Sequence, residues 1–157
     1  MTASTARELS VTTDDAAATR ALASRLATVA RPGDLVLLHG ELGAGKTQFA
    51  KGFGAGLGVR ATINSPSFVL MAEYAGRLPL FHLDLYRLVG PAEVIEGGLL
   101  DERRAEGVSV VEWAERLGDA RAEARLDVVI DGVGDARRSI RIRATDPSYD
   151  RFVEALG

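Results

Sequence analysis

The residues best suited to chemistry in this chain are Gly40-Glu41-Leu42-Gly43-Ala44-Gly45-Lys46-Thr47. They fit the spacing G-x-x-x-x-G-K-[ST], a P-loop. Its glycines let backbone amides wrap a phosphate chain, and its lysine reaches the outer phosphates. Thr47 follows as a hydroxyl suited to Mg²⁺. Of the 19 basic residues only two are lysines, Lys46 and Lys51, so the lysine slot is filled by a residue type the chain otherwise avoids.

Cleaving a phosphoanhydride also needs a carboxylate near the metal and a group that orients water. Two apolar runs end in acids of that kind, Leu80-Phe81-His82-Leu83-Asp84 and Val108-Ser109-Val110-Val111-Glu112. The residues alone do not rank them, and both are expected to face the nucleotide. His39 and His82 sit in apolar runs and read as structural histidines, and Trp113 as a packing residue beside Glu112. Arg103-Arg104 reads as a solvated helix end, with an arginine lid as the alternative. Ser65 and Ser67 flank Pro66 in a turn where a segment sensing the γ-phosphate would lie.

These groups need elements to hold them. Leu35-Val36-Leu37-Leu38-His39 is almost continuously apolar, as in a parallel strand covered on both faces, and a helix from Lys46 to about Leu57 follows the glycine-rich turn. Glu8 to Val11 suggests an edge strand. Thr12 with Asp15 suggests a capping box opening a helix through about Ala30, with Leu22, Leu26 and Val29 on its apolar face. Ser67 to Tyr74 and Leu78 to Leu83 form an expected β-hairpin around Ala75-Gly76-Arg77. Pro91 can start a short helix, Ala114 to Ala124 reads as helical, and Leu126 to Ile130 and Ser139 to Arg143 as two final strands. Strands alternating with helices predict a three-layer α/β domain with a mixed central sheet, whose ligand lies at the carboxyl ends of the strands.

At 157 residues, 46% hydrophobic and 26% charged, the chain suits one globular domain spanning 1–157. A net charge of -3 and a pI near 5.4 argue against an electrostatic grip on nucleic acid, so contact with RNA is expected only locally or through a partner. The absence of cysteine fits a reducing compartment. No apolar run is long enough to suggest a membrane span or a signal-peptide core, and a cytoplasmic protein is expected.

The P-loop, Ser65-Pro66-Ser67-Phe68, His82-Leu83-Asp84-Leu85-Tyr86-Arg87 and Val111-Glu112-Trp113, in this order and spacing, closely resemble the TsaE (YjeE) family. The resemblance runs from about Thr12 to Arg143. The Asp-Leu-Tyr-Arg and Glu-Trp motifs carry it, because the P-loop alone is shared by many families. It implies an ATPase of bacterial tRNA threonylcarbamoyladenosine biosynthesis, slow alone, that forms ADP and works on a complex of the TsaB and TsaD proteins, meeting tRNA only through that complex. It implies Thr47 and Glu112 as Mg²⁺ contacts and Asp84 as a required carboxylate. It also implies nucleotide-edge contacts from a residue near Thr13 or Asp14 and from Arg137.

Two departures touch the site. Ser67 stands where the family usually has threonine, keeping the hydroxyl, and Gln48 replaces a second threonine after Thr47. Both are counted with the nucleotide-binding residues. A small-molecule P-loop kinase is the rival reading. It would need an acceptor pocket and an arginine-rich lid. A regulatory GTPase lacks its guanine-reading motif here.

Overall fold

Runs of β-branched and large apolar residues bounded by Gly, Pro and Asp become strands. The structure is a computed structural model that describes residues 7–41, 44–63, 71–85, 105–114, 124–132 and 137–157. Among them, seven strands form one sheet: β1 (Arg7–Thr13), β2 (Leu35–His39), β3 (Met71–Tyr74), β4 (Leu80–Asp84), β5 (Val108–Glu112), β6 (Leu126–Asp131) and β7 (Arg138–Ala144). Their order is β1-β7-β6-β2-β5-β4-β3. The strands β6, β2, β5 and β4 are parallel, β7 runs antiparallel to β6 and β1, and β3 to β4. The sheet is thus mixed and its hairpin is present, with Tyr74 opposite Leu80.

One face of the sheet carries α1 (Ala16–Ala27), α2 (Lys46–Gly56) and α3 (Asp150–Leu156). Val36 and Leu38 of β2, Val108 and Val110 of β5 and Ile140 and Ile142 of β7 join Leu26, Phe49, Phe53 and Phe152 in the main core. Leu37, Phe81, Leu83, Leu85, Val111 and Ala114 form a smaller cluster on the other face. This two-sided burial explains the unbroken apolar runs of β2 and β5, because neither face of these strands meets water. The helices expected after Pro91 and over most of Ala114 to Ala124 lie outside the described residues, as do the Ser67 to Leu70 part of the hairpin and Arg103-Arg104.

The helix α1 starts later than the capping box suggested. Thr12 and Thr13 remain in β1, paired with Ser139 and Arg138, and Asp15 is the N-cap, its side chain accepting from the Ala18 amide. Helix α1 ends at Ala27, three residues short of Ala30. Arg77 in the hairpin turn donates to the carbonyls of Ala27 (2.9 Å) and Ala30 (3.2 Å), satisfying acceptors left over at the helix end.

Helices α1 and α2 lie very close. A Cβ at Gly52 would stand 2.2 Å from the Arg20 carbonyl oxygen, and one at Gly56 2.4 Å from that of Ser24. These glycines, one turn apart, face α1, so no side chain separates the two backbones. Alanine at 52 gains helix propensity of about 0.5–1 kcal/mol but overpacks at roughly 1–3 kcal/mol or more. Gly52→Ala should therefore lower the urea midpoint, by about 2 kcal/mol of stability, and an unchanged or higher midpoint would refute the close approach.

The C-terminal helix α3 was not evident in the sequence. Asp146 caps the turn Pro147–Tyr149 that leads into it, accepting from the Ser148 amide. Tyr149 accepts from the Leu35 amide at 2.9 Å, and Arg151 donates to the Val29 carbonyl and pairs with Asp34. The helix thereby pins the start of β2, the strand that delivers the glycine-rich loop.

Candidate functional site

The chain leaves β2 at His39, turns through Gly40 and Glu41, and enters α2 at Lys46. Gly45 is the N-cap of α2 with φ 107°, a left-handed conformation that L side chains rarely adopt. No side chain caps this helix and no acidic residue occupies its first turn. The positive dipole end of the helix therefore favours an anion there. Of the expected cradle, Leu42 and Gly43 lie outside the described residues. Glu41 is exposed, and its carbonyl accepts from the Ala44 amide at 3.0 Å.

Lys46 is 5% exposed. Its Nζ donates to the Gly40 carbonyl at 2.7 Å and lies 3.5 Å from the centre of the Trp113 ring. Trp113, expected only to pack, has φ 58°, the one non-glycine positive φ among the described residues. Such a backbone costs on the order of 1–2 kcal/mol. It turns the indole from the end of β5 towards the start of α2.

The two strand-end acids lie side by side. Asp84 and Glu112 are Cα partners on neighbouring parallel strands. Thr47 Oγ1 donates towards both Glu112 carboxylate oxygens, at 3.2 and 3.3 Å. His82, fully buried, sits 2.6 Å through Nε2 from Glu112 Oε2, and its Nδ1 has no hydrogen-bond partner among the described residues. With the carboxylate accepting, Nε2 carries the proton, and His82 fixes the Glu112 side chain as a histidine fixes a ligating carboxylate elsewhere. Sequence reasoning saw His82 as structural because its partner lies 30 residues away on another strand.

The oxygen set of Thr47 and Glu112, with Asp84 alongside, suits a hard divalent cation. No group of three or more His, Cys, Asp or Glu side chains able to hold a metal occurs among the described residues.

The expected edge residues are placed differently from one another. Thr13 is buried, its hydroxyl 2.8 Å from that of Thr19. Arg137 is exposed and lies 3.5 Å from Asp14, also exposed. Its neighbour Arg138, which the sequence did not single out, donates through Nε to the Ala44 carbonyl at 2.8 Å and so touches the cradle directly. The Gln48 side chain points to α1, accepting from Arg20 at 2.7 Å. Ser67, with Ser65 and Pro66, lies outside the described residues, as do Tyr86 and Arg87.

On the opposite face His39 lies 3.1 Å from Asp127, which also pairs with Arg125 at 3.1 Å. They line a groove of about 410 Å³ with Glu8, Val129, Arg141 and Arg143. Burial pushes the Asp127 carboxyl upward, but hydrogen bonds from His39 and Arg125 and their charge pull it further down, leaving it below its ordinary value. A depressed native pKa adds stability above the unfolded value of about 3.9, lost as pH falls through the native value. Asp127→Asn should therefore flatten the acid limb of a stability profile below about pH 4. An unaltered acid limb would refute this coupling.

The model of the family described as threonylcarbamoyl adenosine biosynthesis protein TsaE matches residues 13–140. The Bacillus subtilis tRNA threonylcarbamoyladenosine biosynthesis protein TsaE is 42% identical over 88% of this chain and 87% of its own length. The Streptomyces coelicolor protein of the same name is 44% identical over 78% of this chain and 85% of its own. The crystal structure of Bacillus subtilis YdiB superposes with a TM-score of 0.77 at 37% identity, covering 98% of this chain and 97% of that one.

Proposed function

The chain belongs to the TsaE family, and from that premise we propose that it is a Mg²⁺-dependent ATPase that hydrolyses ATP slowly alone and acts on a TsaB–TsaD complex. Its place in tRNA threonylcarbamoyladenosine biosynthesis follows from the membership. The observation that carries the ATPase reading is the Thr47–Glu112 contact beside Lys46, at the uncapped start of a helix. Cation, metal-seeking oxygens and the positive end of the helix dipole there converge where a triphosphate tail would lie.

In this reading Lys46 and the loop amides hold the β- and γ-phosphates. Thr47 and Glu112 would hold Mg²⁺, which supplies charge neutralisation on the phosphates when bound. His82 keeps the Glu112 carboxylate turned towards Thr47. Asp84, on the adjacent strand end, accepts a hydrogen bond from the attacking water and orients it. ADP and phosphate are the products. No helix among the described residues is long and apolar enough to cross a membrane, and we place the protein in the cytoplasm, meeting tRNA through its partners.

The rival kinase is separated by the fate of the γ-phosphate. With γ-labelled ATP, label should appear only as inorganic phosphate, and more of it when the TsaB–TsaD complex is added. Label transferred to a small acceptor would overturn the ATPase reading.

A further inference from the structure

Lysine carries a long, flexible stem whose freedom must be lost before its ammonium can serve a fixed site. In this chain the Lys46 ammonium is held from two directions. The Gly40 carbonyl accepts from one side at 2.7 Å, and the Trp113 indole centre lies 3.5 Å away on another. Indole is the best aromatic partner for a cation. The pairing has a pattern: consecutive residues at the end of β5, Glu112 and Trp113, engage Thr47 and Lys46, consecutive residues at the start of α2. The ring reaches Lys46 from a left-handed backbone at φ 58°, a conformation rare outside glycine and kept where surrounding structure enforces it.

We propose that Trp113 is a positioning residue for the P-loop lysine, its indole face holding the Lys46 ammonium at the phosphate mouth so that a triphosphate meets a pre-ordered cation. The inference rests on the nucleotide-binding reading above. It makes the strand end that presents Glu112 also the support of the lysine, so a movement of that strand end would loosen both grips together.

The chain has only two lysines, Lys46 and Lys51, so protein labelled with ¹³C-lysine gives two sets of signals, assigned with Lys51→Arg. In the wild-type protein without nucleotide, the Lys46 ε-methylene protons should be shifted upfield by the indole ring current. The shift should persist with ATP bound, shrink in Trp113→Phe and vanish in Trp113→Leu. Trp113→Leu should weaken ATP binding about 3- to 10-fold, and Trp113→Phe by no more than about twofold. An unshifted Lys46 in the wild-type protein would overturn the proposal. So would a Trp113→Leu protein that binds ATP as tightly as wild type or more tightly, since the ring would then be idle or restraining. A present shift with no ATP binding by the wild-type protein would instead overturn the nucleotide reading.

Discussion

Lys46→Ala is expected to weaken ATP binding by about 100- to 1,000-fold. Each hydrogen bond from a charged donor contributes roughly 1.5–3 kcal/mol, and Lys46 would give two of them, to the β- and γ-phosphates, which at the lower part of that range is about 3–4 kcal/mol in all. The side chain is buried at the loop and held by Gly40 and Trp113. Little ordering therefore remains to offset the gain when phosphate arrives. Truncation also leaves the Gly40 carbonyl without this donor. Calorimetric titration with Mg²⁺ and ATP reads the effect directly, and an affinity within threefold of wild type would show that Lys46 does not hold the phosphates.

The second large effect is expected at Glu112. Glu112→Gln keeps the shape and one acceptor oxygen for His82 and Thr47 but removes the charge that would hold the metal. Hydrolysis should fall by about 100-fold or more, because a correctly placed divalent cation supplies several kcal/mol of charge stabilisation. ATP affinity measured in EDTA should change little, since Lys46 and the loop amides are untouched. Asp84→Asn should likewise lower turnover, yet leave the Mg²⁺ dependence of ATP binding as in wild type. Normal hydrolysis by Glu112→Gln would remove that residue from the metal site, and a shifted Mg²⁺ dependence in Asp84→Asn would exchange the two roles.

Much of this site is legible in the sequence because its parts are local. The β2 run, the glycine-rich turn and the start of α2 are contiguous, and each signals its structure through short-range physics: two-sided burial, positive φ at Gly45, an uncapped helix start. Asp84 and Glu112 are legible as acids at the ends of apolar runs. What was missed depends on distant pairing. Thr12 and Thr13 have good local capping chemistry, but pairing with β7 keeps them extended and leaves the cap to Asp15. His82 gains its role only because β4 and β5 lie side by side. Arg138 differs from Arg137 in sequence by nothing that would favour it, and only β7 register directs its guanidinium to Ala44. Trp113 looks like packing until the turn at the end of β5 aims its ring at Lys46. Helix α3 is seven residues long, and its own residues carry little helical signal. Burial of Phe152 and Tyr149 and the anchoring of Arg151 hold it.

The most direct test of the account is the steady-state rate of Mg²⁺-ATP hydrolysis, measured for the protein alone and with the TsaB and TsaD proteins added, with Lys46→Ala as the blank. A slow basal rate that rises clearly with the complex, and is absent from the Lys46→Ala protein with or without it, is the predicted result. A rate that the complex leaves unchanged, or one that Lys46→Ala retains, would contradict the account.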